Sequence, residues 1–262
     1  EISLRPVVEY TEVGETRNLA MPEPDEERDA ADAEERRQRN LKRASMRAKT
    51  QCRRFIKAHG FQQMLTLTYR ENQTDEKLFK EHFAKWVRRM KAALGGKFDY
   101  CAGFEPQDRG AWHAHVACHK LPPPVAYKGV KIESWKLGTK VWRSVVGEDN
   151  GMCFVGGKPK WGKKRRAMSV GKTAAYVSKY ITKHYELMPE GTNRYSRSNG
   201  DVVGKPERVR LFGVSLADAI AEAFMLFDGE VILSHRVGRF KDSYYLCTEP
   251  SPATMHTSVT RA

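Results

Sequence analysis

The sequence predicts an α+β fold in which a central antiparallel β-sheet is flanked by helices. One observation is the alternation of apolar and polar residues in several short runs, which is typical of strands with one buried face. A second is the recurrence of apolar residues at helical spacing in the segments between those runs. A third is the short polar turn at residues 107–110, which joins two of the predicted strands into an antiparallel hairpin.

The N-terminal part of the chain changes from acidic to basic. Residues 1–35 contain 12 acidic and 3 basic residues, and they are expected to form a poorly ordered acidic arm. From Arg36 to Lys57 there are 10 Lys or Arg residues and no acidic residue. Apolar residues recur there at helical spacing, so residues 36–60 are predicted to form a basic amphipathic helix. Its charged face is as consistent with simple solvation as with contact to a DNA backbone.

The main domain is expected to span residues 61–215. In chain order, its predicted elements are a strand (64–69), a helix (74–94), the hairpin (98–105 and 111–120), a helix (132–146), a strand (152–155), a basic loop (156–166), a helix (172–185), a polar loop (194–204) and a strand (209–214). Ser215 is placed to cap the next helix, so residues 216–249 are predicted to add a C-terminal helix and a small hairpin. Residues 250–262 are expected to be a tail.

Charge and cysteine content restrict the class of partner and the compartment. The 262 residues carry a net charge of +14, which favours a polyanionic partner, although simple solubility also produces basic proteins. The five cysteines are an odd number and include no CxxC pair, as expected of a protein in a reducing compartment. No apolar run is long enough to span a membrane, so no membrane partner is expected.

A His-x-His motif lies in the second strand of the predicted hairpin. Because alternate residues of a strand face the same side, His113 and His115 project together, and their apolar neighbours can pack into the core. Glu105, on the preceding strand close to the turn, can face the two histidines. Two imidazoles and a carboxylate leave open positions on a divalent ion such as Mg²⁺ or Mn²⁺. The alternative is a strand that simply contains two histidines.

The helix predicted at residues 172–185 presents two tyrosines. Tyr176 and Tyr180 are four residues apart and share one stripe of the helix. An aliphatic stripe is expected to face the core, which leaves the tyrosines facing a cleft. A phenol has a pKa of about 10 and must be activated to act as a nucleophile. A nearby cation favours the phenolate, and Lys179 or Lys183 can supply it. The alternative is that both tyrosines are ordinary core residues.

A basic stretch precedes the tyrosine helix and has a tryptophan in its midst. Its members are Lys158, Lys160, Trp161, Lys163, Lys164, Arg165, Arg166 and Lys172. Cationic side chains follow phosphates and a tryptophan can stack on a base, so the stretch is a candidate DNA contact. A flexible, solvated loop is the alternative.

Three short motifs together resemble those of the HUH endonucleases. They are Leu65-Thr66-Leu67-Thr68 before a helix, then His113-Ala114-His115, then Tyr176-x-x-Lys179-Tyr180. The resemblance covers about residues 61–215. The two-tyrosine form is similar to rolling-circle replication initiators of bacterial plasmids and of small single-stranded DNA phages, the gene A protein class.

The resemblance implies a fold, a site and a reaction. It implies a sheet of the palm or RRM-like kind, with His113, His115 and Glu105 as ligands of Mg²⁺ or Mn²⁺. The nucleophiles would be Tyr176 and Tyr180, and Lys179 would assist them. The implied setting is a double-stranded origin DNA in the cytoplasm of a prokaryotic host. We expect no fused helicase domain, so unwinding would need a host helicase.

The sequence therefore predicts a rolling-circle replication initiator that nicks single-stranded DNA. It would stay attached through a 5′-phosphotyrosine, leave a 3′-OH primer and later rejoin the strand. Two alternatives stay open. A transposase or relaxase would use the same chemistry at a different DNA site. A non-catalytic basic nucleic-acid-binding module would bind without any metal-dependent cleavage.

Overall fold

A computed structural model describes residues 2–6, 26–122, 125–156, 168–183, 193–199, 203–204, 207–227 and 229–249. These residues contain five α-helices and ten β-strands. The helices are α1 (Glu26–Ala58), α2 (Glu76–Ala93), α3 (Ser134–Val146), α4 (Val170–Thr182) and α5 (Leu216–Met225). The strands are β1 (Ile2–Leu4), β2 (Gln63–Tyr69), β3 (Tyr100–Pro106), β4 (Trp112–Cys118), β5 (Val125–Tyr127), β6 (Val130–Ile132), β7 (Gly151–Val155), β8 (Tyr195–Arg197), β9 (Val231–Val237) and β10 (Tyr244–Glu249).

The chain forms two compact units. The larger unit runs from Pro24 to Gly204 and contains α1 to α4 and β2 to β8. The smaller unit combines residues 1–23 with residues 205–262 and contains β1, α5, β9 and β10. The larger unit therefore holds most of the predicted main domain and, in addition, the whole of α1.

The larger unit is built on a five-stranded sheet with the order β7-β2-β4-β3-β8. Every neighbouring pair in this sheet is antiparallel, which confirms the predicted α+β class. β3 and β4 form the predicted hairpin. Its turn contains Gly110, whose φ of 86° lies in the left-handed region that favours glycine.

One face of the sheet is covered by α2 and α3 and holds the larger core. Phe79 and Trp86 of α2 and Trp142 of α3 are fully buried there. The Trp86 indole donates a hydrogen bond to the carbonyl of Gly138 at 3.2 Å. The Trp142 indole donates to the carbonyl of Thr68 at 2.9 Å. Both buried N–H groups are therefore satisfied, and the aromatic rings contribute their full apolar surface to the core.

The opposite face of the sheet packs against α1 and α4. Phe55 and Ile56 of α1 join the aliphatic side of α4 in a second core, to which the sheet contributes Cys101 and Ala117. The five cysteines of the chain are buried free thiols. Buried, unpaired cysteines agree with the reducing compartment that the sequence predicts.

α1 begins earlier than the sequence predicts. It starts at Glu26 rather than near residue 36, so residues 26–35 are helical and do not belong to an irregular arm. On the exposed surface of this helix, Arg37 forms an ion pair with Glu34 at 2.9 Å. Pairs one turn apart stabilise a helix modestly, and here they join the acidic segment to the basic one.

The polar segment at residues 194–204, predicted to be a loop, contains the short strand β8, which pairs with the edge of β3. The hydroxyl of Ser196 lies 2.9 Å from that of Tyr100. The Tyr100 amide donates to the Ser198 hydroxyl at 3.1 Å. A three-residue edge strand fixed by side-chain hydrogen bonds has too weak an apolar pattern to be recognised from sequence. The small hairpin of β5 and β6 was not predicted either.

The strand predicted at residues 209–214 is wrong. These residues adopt no regular secondary structure. Val209 and Phe212 expose 73% and 76% of their surface. Alternation of apolar residues produces a strand only when a neighbouring strand and a core are available, and none pairs with this segment among the described residues.

The smaller unit contains an antiparallel sheet with the order β1-β10-β9. α5 begins after Ser215, whose hydroxyl accepts a hydrogen bond from the Asp218 amide at 3.1 Å. The predicted C-terminal helix and hairpin are therefore present, whereas the pairing of β1 with β10 was not predicted. No helix in the described part of the chain has the length and apolar character needed to cross a bilayer.

Candidate active site

The two histidines of β4 lie on the sheet face that packs against α1 and α4. The register pairs Glu105 with His113 and Gly103 with His115. The alternate residues of β4, including Ala114 and Val116, are buried in the aromatic core on the other face. The predicted alternation is therefore confirmed, and it places the three candidate ligands on one face of the hairpin.

Glu105 is held by two cationic or polar partners. Nε2 of His115 lies 3.1 Å from Oε2 of Glu105, and Nζ of Lys183 donates to Oε1 at 2.5 Å. Burial by itself raises the pKa of this carboxyl, but the hydrogen bonds from His115 and Lys183 outweigh it and lower the pKa below its usual value. Glu105 is therefore an anion inside the site. On the other ring nitrogen, His115 Nδ1 lies 3.3 Å from the hydroxyl of Thr66.

His113 is the least satisfied polar group of the site. It is 7% exposed, and its Nε2 atom has no hydrogen-bond partner among the described residues. Burial, and next the neighbouring His115, lower its pKa to about 4. Near neutral pH it is therefore an uncharged imidazole with a buried nitrogen that faces no donor or acceptor, which costs stability unless something binds it.

α4 carries both tyrosines on its uncovered side. The helix begins after Ser169, whose hydroxyl accepts a hydrogen bond from the Lys172 amide at 3.3 Å. Its buried side includes Ala174, Val177 and Ile181, the aliphatic stripe that the sequence predicts. The tyrosines therefore lie off the core, as expected.

The tyrosines meet the histidines directly. The ring of Tyr180 stacks on that of His115, with centroids 3.8 Å apart and planes inclined by 15°. Tyr176 lies edge-on to Tyr180 at 5.2 Å and leaves 39% of its surface exposed. Residues that are about sixty positions apart in sequence thus form one cluster.

The two lysines of the tyrosine helix have different neighbours. Nζ of Lys179 lies 5.9 Å from the ring centroid of Tyr180, whereas Lys183 is bound to Glu105. Burial, and next the hydrogen bond with Tyr176, raise the pKa of Tyr180. The sequence suggested that a lysine favours the phenolate, but in this arrangement Tyr180 is a protonated phenol.

Gly103 sets how closely α4 approaches the sheet. A Cβ atom at this position would lie 2.9 Å from the backbone oxygen of Val177 and 3.4 Å from Cγ1 of Ile181. Because a real Cβ does not approach a backbone oxygen so closely, any larger residue would move the helix. Gly103 is paired with His115, so it controls the spacing between histidines and tyrosines. Sequence reasoning missed this role, and it missed the contact of Thr66 with His115.

The donor types at the site fit a divalent ion. Imidazole nitrogens and a carboxylate suit Mn²⁺ and related ions, and the orphaned Nε2 of His113 is a neutral donor of the required kind. The present positions do not enclose an ion. No group of three His, Cys, Asp or Glu side chains within the described residues has the arrangement of a preformed metal site, because Glu105 turns towards His115 and Lys183.

Of the predicted DNA contacts, only Lys172 falls within the described residues. It lies exposed in the first turn of α4. The others lie outside the described residues; they are Lys158, Lys160, Trp161, Lys163, Lys164, Arg165 and Arg166.

Residues 62–185 match the model of a protein family described as replication-associated protein ORF2. The match spans a little less than half of the chain and includes Glu105, both histidines and both tyrosines. Neither a curated protein nor a solved structure is significantly similar to the chain. The match therefore supports a replication-associated protein, of the class that initiates DNA replication.

Proposed function

We propose that this protein initiates replication by nicking and rejoining single-stranded DNA through a tyrosine nucleophile. The stacking of Tyr180 on His115 at 3.8 Å carries the proposal. It brings a phenol to the sheet face that holds His113 and Glu105, and nothing in the core requires this cluster. The family match at residues 62–185 supports the biological setting, which is the start of DNA replication at an origin.

The reaction transfers a phosphoryl group between two oxygens. The phenol oxygen of Tyr176 or Tyr180 attacks the scissile phosphorus, and the bond from phosphorus to the 3′ oxygen breaks. The phenol loses a proton and the 3′ oxygen gains one, so the products are a 5′-phosphotyrosine and a free 3′-OH. The new phosphodiester keeps the energy of the old one, so attack by a 3′-OH rejoins the strand. A second tyrosine allows a second transfer without release.

The neighbouring residues prepare this step. His113, His115 and Glu105 would hold Mg²⁺ or Mn²⁺, which when bound supplies Lewis-acid polarisation of the scissile phosphate. Lys183 keeps the Glu105 carboxylate charged and on the histidine face. Because burial raises the pKa of Tyr180, this phenol loses its proton only as it attacks. Lys179 lies beside the ring and can stabilise the negative charge that develops.

The DNA approaches over a cationic surface in this proposal. Lys172 is exposed at the start of α4, and the basic stretch at residues 158–166 adds further cations and Trp161. Such side chains bind phosphates without reading sequence. Separation of the two origin strands would be left to a host helicase.

The first test is a gel assay for covalent adducts with 5′- and 3′-labelled single-stranded oligonucleotides from candidate origins, in Mn²⁺ and in EDTA. We expect an adduct on the fragment that carries the 5′ phosphate, and only with the metal. The double variant Tyr176→Phe/Tyr180→Phe should form no adduct and bind DNA as the wild type does. Tyr195→Phe is the matched control, because this tyrosine lies outside the cluster, with its hydroxyl on Gln51 at 2.8 Å.

Two results would count against the proposal. An adduct that persists in the double variant would move the nucleophile to another residue. Tight DNA binding without any adduct, across several origins and with Mn²⁺ present, would favour the non-catalytic binding module. A transposase or relaxase would give the same adduct at a different DNA site, so the sequence that is cleaved separates these classes.

A further inference from the structure

The outer strand β7 exposes two large apolar side chains on the histidine face of the sheet. Along this strand Gly151, Cys153 and Val155 are buried, while Met152 and Phe154 are 41% and 54% exposed. Because side chains alternate along a strand, both point to the side opposite the aromatic core. That side is the one on which His113 and His115 lie.

Phe154 is in lateral register with the candidate active site. Its partner across the strands is Thr66, and Thr66 is in turn paired with His115. Two strand spacings of about 4.8 Å separate the Phe154 backbone from that of His115. Met152 is paired with Thr68 in the same way. A surface of two threonines and two apolar side chains therefore continues from the histidines to the edge of the sheet.

The two ends of this register row are treated differently by the fold. At Gly103 the row is covered by α4, whose Val177 oxygen approaches within van der Waals distance of the backbone. At His115 it is covered by the Tyr180 ring. Beyond Thr66 the row ends in the exposed ring of Phe154. An extended ligand whose phosphate is bound at the histidines can reach this ring along the sheet without crossing a helix.

The charge around this surface identifies the kind of ligand. Arg70 is exposed one residue beyond the end of β2, and its amide donates to the Asn150 carbonyl just before β7. Lys172 and Lys179 are exposed on α4. The chain as a whole carries a net charge of +14. Exposed aromatic and apolar side chains flanked by cations are how proteins hold unpaired bases, which stack while the cations contact phosphates.

We propose that Phe154, supported by Met152, is a stacking platform for a base of the single-stranded DNA that lies next to the cleavage site. The proposal rests on the proposed function, since it assumes that DNA is bound at the histidines. It adds a contact that fixes how the strand lies on the sheet. The occupant is a nucleotide base rather than a protein segment, because the surface is continuous with the phosphate site and surrounded by positive charge.

The test measures affinity for a fluorescein-labelled oligodeoxythymidylate by anisotropy, in the Tyr176→Phe/Tyr180→Phe background so that no cleavage is needed. Phe154→Ala should weaken binding by about fivefold or more, the loss that removal of one base–aromatic stack produces. Phe154→Trp should retain the wild-type affinity, and Phe154→Leu should not, because it keeps apolar bulk without an aromatic ring. Phe240→Ala is the matched control, since Phe240 is an 80% exposed phenylalanine of the smaller unit.

A second ligand separates stacking from backbone binding. An abasic oligonucleotide of the same length should bind the Phe154 protein more weakly than oligodeoxythymidylate does, and this difference should be absent in Phe154→Ala. Unchanged affinity of Phe154→Ala, or equal affinities of Phe154→Leu and the Phe154 protein, would overturn the platform. Thermal unfolding of each variant confirms that the exposed substitution leaves the fold intact.

Failure of the platform and failure of the proposed function give different results. If Phe154→Ala binds normally while the wild-type tyrosines still form a metal-dependent adduct, the platform is wrong and the nuclease stands. If the wild type forms no adduct but affinity depends on Phe154, the platform stands and the nuclease is wrong.

Discussion

The two faces of the central sheet have opposite compositions. The face under α2 and α3 is an aromatic core in which the buried indole N–H groups of Trp86 and Trp142 are hydrogen-bonded. The face under α1 and α4 includes a buried carboxylate, two buried imidazoles and a nitrogen of His113 without a partner among the described residues. The first face has the composition of a stable core. The second departs from it at the candidate active site, where polar groups are kept for a ligand.

This difference teaches how stability and chemistry are separated in one sheet. Alternate residues of β4 face opposite ways, so Ala114 and Val116 stabilise the fold while His113 and His115 face the tyrosines. A change on one face is expected to affect stability, and a change on the other is expected to affect cleavage. The four variants below test that separation, in order of expected effect.

Trp86→Ala should have the largest effect, and on stability. Trp86 is fully buried on α2, and removal of such a side chain costs about 3–5 kcal/mol. We expect a large fall in the denaturant midpoint of the larger unit. At low temperature, where the protein is still folded, the adduct yield per folded molecule should be unchanged. A selective loss of cleavage would show that the faces are coupled.

His113→Ala should have the next largest effect, and on cleavage. Loss of a mere hydrogen-bond partner of a metal ligand already costs about 10- to 100-fold in activity, so loss of the ligand should cost at least about 100-fold. The midpoint of unfolding should stay the same or rise, because the variant removes a buried nitrogen that has no partner among the described residues. A fully active variant would remove His113 from the site.

Gly103→Ala should reduce adduct formation with little change in DNA affinity. The new Cβ would meet the Val177 oxygen at 2.9 Å and displace α4, and a shift of about 1 Å at a reacting group can cost about 100-fold. We expect a loss of about tenfold or more in the single-turnover rate.

Two other glycines are matched controls for Gly103→Ala. Gly204→Ala should be neutral, because no atom lies within 4 Å of its added Cβ. Gly151→Ala should reduce stability without changing the rate per folded molecule, because its Cβ would meet Trp142 at 2.7 Å on the aromatic face. If Gly103→Ala and Gly151→Ala reduce the rate equally at matched stability, Gly103 has no positioning role.

Asp75→Ala should have the smallest effect. The Asp75 carboxylate caps α2 by accepting a hydrogen bond from the Leu78 amide at 3.1 Å, and loss of such a cap typically costs about 1 kcal/mol. Asp75→Asn, which keeps an acceptor, should restore most of the stability. Thermal unfolding distinguishes the two variants, and both should form adducts normally.

The alternation of apolar and polar residues predicted much of this arrangement. It placed His113, His115 and Glu105 on one face, and the helical spacing placed Tyr176 and Tyr180 away from the core. These features depend on local periodicity, which a sequence displays directly.

Other features depend on contacts between distant segments, which no local pattern contains. The approach of α4 at Gly103 is an example, because a glycine in a strand gives no sign of which helix it meets. The ion pair of Lys183 with Glu105 is another, since the sequence assigned that lysine to the tyrosines. At residues 209–214 the pattern was misleading, because alternation without a neighbouring strand does not produce a strand.

The strand order β7-β2-β4-β3-β8 also determines when the site can form during synthesis of the chain. β2 is among the first strands to be made, yet one of its partners, β7, ends at Val155, and the tyrosines come later still. Pairings between such distant segments form slowly, and domains emerge from the N-terminus first. A nascent chain that ends before α4 thus has the histidine strand without the tyrosines, and the complete cluster arises only after residue 180 leaves the ribosome.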